Sequence, residues 1–257
     1  MSLFNCYQDP RLADAYARLE FPGTYYLAFR DLPAILREHV TGPDALDFGC
    51  GAGRSTRFLR RHGFNAVGVD ISREMLTHAR RFDPEGDYRL VQGGDLGPLG
   101  DSAFDLVLSA FTFDNVPSRA EKVRAMRQLA RLLEPSGRMV NLVSSPEIYV
   151  HEWASFSTRD YPGNRDARDG DTVLIVNTAI EDPRPVADVV WSDDGYREIY
   201  AESGLEVVET RRPLGREDEP FAWVNETRIA PWVIWVLKPS TSREARGAAG
   251  RGASSPS

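Results

Sequence analysis

The stretch from Ala45 to Thr56, Ala-Leu-Asp-Phe-Gly-Cys-Gly-Ala-Gly-Arg-Ser-Thr, constrains the fold more than any other part of the chain. An apolar run carrying one acid, Asp47, ends in three glycines at alternate positions, Gly49, Gly51 and Gly53. A helical pattern then begins at Arg54. This is the pattern of a buried strand, a tight turn and a helix N-terminus. Glycine tolerates positive φ and lets a ligand approach the backbone. The helix start adds unpaired N–H groups and a partial positive charge. A nucleotide-like ligand is therefore expected. The spacing departs from two common versions of such a loop. In G-x-G-x-x-G the third glycine would fall on Arg54, and the Gly-Lys-Ser/Thr of a phosphate loop is absent.

The rest of the chain sets the frame. Its 257 residues suit one α/β domain with embellishments, or at most two small domains, with a core that needs no staples. Two cysteines, Cys6 and Cys50, are too few for a disulfide framework, and Cys50 sits inside the glycine turn. A reducing, cytoplasmic setting is the expectation. The chain opens without a charged-then-apolar leader and carries no apolar run long enough to span a bilayer, so no membrane partner is expected. A net charge of −7 argues against a nucleic-acid partner, which usually meets a basic patch. No internal repeat is visible. A monomer or homodimer is expected.

Beyond the turn, Asn65-Ala-Val-Gly-Val-Asp70 reads as a second buried strand ending in an acid. An acid there can hydrogen-bond both hydroxyls of a ribose; it can also cap the helix that begins near Ser72. Ile71 would pack on a base. Tyr88–Gln92 reads as a third strand, followed by Gly93-Gly-Asp95-Leu96. Phe104–Ala110 is a fourth, and Phe111-Thr-Phe-Asp-Asn115 lies at the carboxyl edge of the sheet, where open α/β folds bind ligands. Asp114 and Asn115 offer polar contacts there, since Ser118 and Glu121 already form a capping box for the next helix. Arg138–Val143 is a fifth strand, after a helix ended by Pro135-Ser-Gly137, and Leu205–Thr210 and Thr227–Leu237 are the last two.

Asp-x-Gly-x-Gly-x-Gly at 47–53 resembles motif I of the class I S-adenosyl-L-methionine-dependent methyltransferases. Phe-Asp-Leu-Val at 104–107, Leu-Leu-Glu-Pro-Ser-Gly-Arg-Met-Val at 132–140 and Gly-Leu-Glu-Val-Val-Glu at 204–209 resemble later parts of the same family. The resemblance spans residues 44–144 by motif and 190–238 by pattern. It implies an α/β, Rossmann-like seven-stranded sheet with helices on both faces and an antiparallel last strand. It divides the chain into an N-terminal helical cap (1–40), a methyltransferase domain (41–238) with an acceptor-side flap inserted after the fifth strand (145–190), and a disordered Ser/Gly/Ala/Arg-rich tail (239–257).

The resemblance also implies residue roles. Asp47, Gly49, Cys50, Gly51 and Gly53 would form the cofactor turn. Asp70 would bind the adenosyl ribose, with Ile71 against the adenine. Asp95 would accept from the adenine amino group and the Leu96 N–H would donate to the ring. Phe111 lies at the ligand edge. In the cap, Tyr16 and Tyr25, with Phe21, Tyr26 and Arg30, would form a lid, where relatives often hold the methionyl carboxylate. The activity implied is methyl transfer to a small-molecule acceptor, at O or N before C or S. The alternative is an enzyme of the same fold that binds the cofactor without methyl transfer, such as a natural-product cyclase. No metal is expected, because Asp114-Asn115 has no second Asp-Asn pair downstream.

On the acceptor side, His151 supported by Glu152 is the expected general base or anchor, with Asn115 as a further polar contact. His151 is the only histidine away from the expected helices and their ends, and Tyr149, Trp153 and Phe156 surround it in sequence.

Overall fold

A computed structural model describes residues 10–182 and 184–240. At its centre, strand β1 (Asp44–Phe48) is flanked in parallel by β2 (Asn65–Asp70) and β4 (Phe104–Ala110). With β3 (Asp87–Leu90), β5 (Leu133–Ser144), β9 (Leu205–Arg211) and β10 (Trp232–Pro239) they form a seven-stranded sheet, ordered β3-β2-β1-β4-β5-β10-β9. The β3-to-β5 half is parallel, and β10 runs antiparallel to both β5 and β9. Strands buried on both faces read as unbroken apolar runs, and successive residues serve opposite cores. Thus Leu106 and Leu108 of β4 join one hydrophobic cluster while Val107 joins the other.

The first face carries α2 (Thr24–Arg30), α3 (Leu32–His39) and α4 (Arg54–Arg61), through Leu27, Ile35, Phe58 and Leu59. The second carries α6 (Arg119–Leu132) and α7 (Asp193–Glu202), through Val123, Met126, Leu129 and Ile199. Helix α5 (Arg73–Phe82) starts from Ser72, whose hydroxyl accepts from the Met75 N–H. Ser118 caps α6 by accepting from the Glu121 N–H, and its own hydroxyl donates to the Glu121 carboxylate. Helix α1 (Pro10–Ala17) lies over the glycine turn, with Ala17, Ala52 and Met75 packed together.

Two strand boundaries differ from the expected ones. Strand β5 begins at Leu133, directly after α6, and its pairing with β4 jumps from Leu133 to Arg138. The intervening Glu-Pro-Ser-Gly forms an irregularity in which Pro135 has no N–H to give to a ladder. Strand β10 starts at Trp232, just after the Pro231 expected to interrupt it, so residues 227–230 stay outside the strand. Residues 145–190 carry a separate antiparallel sheet, ordered β6 (Phe156–Ser157), β7 (Thr172–Asn177), β8 (Pro185–Val189). Along β7, Val173, Ile175 and Asn177 are buried and their neighbours are not, the period of a strand with one covered face. The tail from residue 241 lies outside the described residues. Among the described residues no helix is long and apolar enough to cross a membrane.

Candidate active site

A cleft of about 820 Å³ opens at the carboxyl ends of β1, β2 and β4, walled by the N-terminal helices on one side and by the β6–β8 sheet on another. Its floor is the glycine turn. Asp47 lies beneath that floor, fully buried, and accepts hydrogen bonds from the hydroxyls of Ser55 (2.7 Å) and Thr56 (2.6 Å). It ties β1 to the start of α4 and does not line the cleft. Burial raises its pKa to about 6, and its second oxygen has no partner. Gly53 is also structural: its φ is +80°, and a Cβ would fall 2.5 Å from the Tyr88 hydroxyl.

Gly49, Cys50 and Gly51 face the cleft. The Gly51 N–H donates to Asp70 Oδ2 and the Ser72 N–H to Asp70 Oδ1, each at 2.8 Å. The Asp70 carboxylate is thereby fixed at the cleft lip, its pKa raised by burial. The Cys50 thiol is pushed well up, first by burial and then by the nearby acids Asp47 and Asp70, so it is no thiolate nucleophile. Ile71 lines the cleft with 59% of its surface exposed. A Cβ on Gly51, whose φ is +53°, would reach toward the Met75 methyl at 3.2 Å. A backbone cradle, a fixed carboxylate and an apolar plate beside it match the adenosyl group of S-adenosyl-L-methionine in shape and chemistry.

The residues expected to contact the adenine lie elsewhere. Asp95 is exposed and its carboxylate accepts from the Gly97 N–H at 2.9 Å. Leu96 is fully buried, and its N–H donates to Gln128 Oε1 at 3.0 Å. Neither lines the cleft; Val91, Gly94 and Gln128 stand in that place. Gln128 comes from α6, thirty-two residues away in sequence, and it takes the N–H that a base would need.

Tyr16 and Tyr25 line the cleft from the cap. Arg30 does not: it pairs with Asp31 and with Glu219, each at 2.8 Å. Two arginines line the cleft, Arg54 and Arg124; the Arg54 guanidinium lies 5.0 Å from the Tyr25 ring and 5.4–5.5 Å from those of Phe29 and Phe21. Sequence reasoning passed over Arg54 because it was read only as a missing glycine.

The acceptor end differs most from expectation. Asn115 lines the cleft and donates to the Phe111 carbonyl at 3.1 Å. Phe111, with φ +64°, also lines it. His151 and Glu152 do not. The His151 ring bonds Glu147 (3.1 Å), one helical turn back, instead of Glu152. Glu152 accepts from the Ser157 hydroxyl and the Thr158 N–H, each at 2.8 Å, which closes its own turn and holds its pKa below the ordinary value. Of the expected aromatic neighbours, Tyr149 and Phe156 reach the cleft; the Trp153 indole N–H turns away to the Ile148 carbonyl.

Two acids reach the acceptor end, Asp114 and Asp188, beside the Tyr149 hydroxyl. Asp114 is buried and accepts from the Ser144 N–H (3.1 Å) and hydroxyl (2.9 Å). Asp188 accepts from the Tyr149 hydroxyl at 3.1 Å. Burial raises both, Asp114 to about 6 and Asp188 to about 8, the latter helped by the charge of Asp114. Lys122 is buried behind them and donates to the Phe113 carbonyl. Burial lowers it to about 8, and its charge draws Asp114 down. Asp188 went unread in the sequence, although a lone acid within Val-Ala-Asp-Val-Val carries the same signal as Asp47.

Away from the cleft, Glu38, His39 and Glu209 cluster closely enough to hold a metal ion. There Arg211 already pairs with both glutamates, at 2.7 and 2.6 Å, which supplies the cationic charge.

The methyltransferase-domain family matches residues 46–141 of the chain. N-demethylindolmycin N-methyltransferase of Streptomyces griseus is 26% identical over 190 residues, covering 73% of this chain and 79% of the relative. A protein of Encephalitozoon cuniculi named as a methyltransferase is 30% identical over 182 residues, covering 70% of this chain and 77% of the relative. Other curated relatives are matched over about half of their own length. Among solved structures, the CcbJ methyltransferase from Streptomyces caelestis shares the fold with a TM-score of 0.64 at 19% identity, over 90% of this chain and 96% of that one. The chain belongs to the class I S-adenosyl-L-methionine-dependent methyltransferase family, and S-adenosyl-L-methionine is its cofactor.

Proposed function

We propose that this enzyme transfers a methyl group to an oxygen or nitrogen of a small-molecule acceptor, with the acceptor held beneath the β6–β8 sheet. The observation that carries this reading is one continuous cleft whose two ends differ in chemistry. One end has the Gly49–Gly51 cradle, Asp70 and Ile71; the other has Asp114, Asn115, Tyr149 and Trp232. Relatives named for small molecules, N-demethylindolmycin and ubiquinone among them, support an acceptor of that size.

When bound, the cofactor supplies a sulfonium methyl that is already a strong electrophile, so the protein's part is alignment and exclusion of water. Asp70 is assigned to the ribose hydroxyls, Ile71 to one face of the adenine, and Arg54 with Tyr16 to the carboxylate end. Asn115, anchored to the Phe111 carbonyl, is assigned to the acceptor. A proton-accepting group is needed only if the acceptor arrives protonated.

The test is calorimetry with S-adenosyl-L-methionine and S-adenosylhomocysteine, followed by a search for labelled methyl in product. Both ligands are expected to bind, and Asp70→Ala to weaken each by about 1–3 kcal/mol, the scale of hydrogen bonds to a charged group. Tighter binding of NAD than of either would sink the reading. Binding without label in any product would favour a same-fold enzyme that transfers no methyl.

A further inference from the structure

We propose that the acceptor is an amine that arrives as its ammonium and is seated between the carboxylates of Asp114 and Asp188 and a box of four aromatic rings. This rests on the methyl-transfer reading above and names the acceptor class of that site.

The first observation is the charge at the acceptor end. Asp114, in the helical turn Thr112–Asn115 after β4, and Asp188, on β8, come from two elements and line the same cleft. The cation behind them is Lys122, which is buried and bonded to the Phe113 carbonyl. With both acids ionised, two carboxylates against one ammonium leave a negative charge at this wall, while Arg54 and Arg124 line the cleft from α4 and α6. The neighbouring donors are neutral: the Ser144 N–H and hydroxyl on Asp114, and the Tyr149 hydroxyl on Asp188. An acceptor carrying a carboxylate or phenolate would add a third negative charge to a partly dry site, where such repulsion is least screened. An ammonium supplies the missing cation.

The second observation is independent of charge count. Tyr25, Phe111, Phe156 and Trp232 all line the cleft. Trp232 lies 4.7 Å from Phe111, 5.7 Å from Phe156 and 5.8 Å from Tyr25, centroid to centroid. Tyr25 closes the group at 5.0 Å from Phe156 and 5.6 Å from Phe111. Ring faces attract cations through their quadrupoles, tryptophan most strongly; the Tyr25 ring already has the Arg54 guanidinium at 5.0 Å, which leaves Trp232, Phe111 and Phe156 for the ammonium. Burial raises the Tyr25 ionisation, and its hydroxyl accepts from Asn177 at 3.1 Å, so the ring stays neutral. An aromatic box beside two acids suits an organic ammonium better than an alcohol or a carboxylate. Asp188 also gives the proton a destination. The N–H bond breaks with its electron pair left on nitrogen, the proton goes to the Asp188 carboxylate and from there to water, and the free amine is left in place.

The experiment uses the full chain without cofactor. Binding is read by tryptophan fluorescence for 2-phenylethylamine and 3-phenylpropylamine, each beside the alcohol and carboxylate of the same shape. S-adenosylhomocysteine affinity is measured in parallel. The amines are expected to bind at least about tenfold tighter than their alcohols, the scale of one partly desolvated charge contact. Asp188→Asn and Asp114→Asn are expected to shrink that preference to about twofold, with S-adenosylhomocysteine affinity retained. An alcohol or carboxylate binding as well as its amine, no amine preference anywhere in the panel, or a preference that survives Asp188→Asn overturns the proposal. Failure of wild-type protein to bind S-adenosylhomocysteine strikes the methyl-transfer reading instead, and retained S-adenosylhomocysteine affinity in the variants shows that they fold.

Discussion

His151 shows how the surroundings of one side chain can differ from those its sequence neighbours suggest. In the sequence it stands near aromatic residues, just past a strand at the ligand edge. In the structure Pro146–Tyr149 forms a single helical turn, which brings Glu147 to the imidazole and turns the ring edge-on to Trp153 at 6.2 Å. The pair is partly solvent-exposed, so its contribution to stability is small. His151→Ala is expected to leave turnover within about twofold of wild type, against the 10²–10⁴ that loss of a positioned acid–base group would bring. Steady-state rates on the identified acceptor check this, and a loss of about a hundredfold would put the imidazole back into the chemistry. Asp70 lies at the cleft lip as expected, because its position depends on the end of one strand and the turn beside it, both of which are local.

At the scale of elements, the site depends on how the cap and the β6–β8 sheet are joined. Glu226 is fully buried and does the joining. Its carboxylate accepts from the Thr24 hydroxyl (2.7 Å) at the start of α2, from the Ala154 N–H (2.7 Å) before β6, and from the N–H groups of Val224 (2.8 Å) and Asn225 (3.1 Å). Around it the Ser155 N–H donates to the Thr24 hydroxyl at 3.0 Å, and the Trp232 indole donates to the Thr24 carbonyl at 2.7 Å. Glu226→Gln would turn an amide N–H₂ toward two donors. It is expected to destabilise the protein by on the order of 3 kcal/mol, since hydrogen bonds to a charged group are worth about 1.5–3 kcal/mol each. Denaturant midpoints check it, and a change below about 0.5 kcal/mol would show that the junction relaxes around the amide. The same scale explains what was legible in advance. Strands β1, β2 and β4 could be read because each is a short apolar run with its acid or glycine at a fixed place. Asp188, Gln128 and Arg54 could not be assigned: each acts on a cleft whose other wall comes from a distant segment, and a period-two pattern such as that of β7 does not say what it folds against.

Over the whole molecule, three buried acids set the response to pH. Asp47 and Asp114 are raised to about 6 and Asp188 to about 8, all chiefly by burial, from an ordinary 3.8. The folded chain therefore binds protons that the unfolded chain has already released, and stability rises as pH falls. Their contribution is complete below the unfolded value and is lost as pH climbs through the folded ones. Glu152 and Glu209 act in the opposite sense. Their pKa values are lowered, by the hydrogen bonds from Thr158 and Ser157 in one case and from Arg211 in the other, so their share is lost only below their ordinary 4.5. Lys122, lowered to about 8 by burial, opposes the trend only above that value. A net charge of −7 adds self-repulsion that weakens as carboxylates are neutralised. Between about pH 7.5 and 5.5 only the stabilising terms operate, and the denaturant midpoint of the cofactor-free protein is expected to rise over that interval. Asp188→Asn removes the acid that titrates highest, so the variant curve should flatten most near pH 7.5 while keeping its rise near pH 6. A wild-type midpoint that falls steadily from pH 7.5 to 5.5 would mean that these carboxylates are hydrated in solution and keep ordinary pKa values.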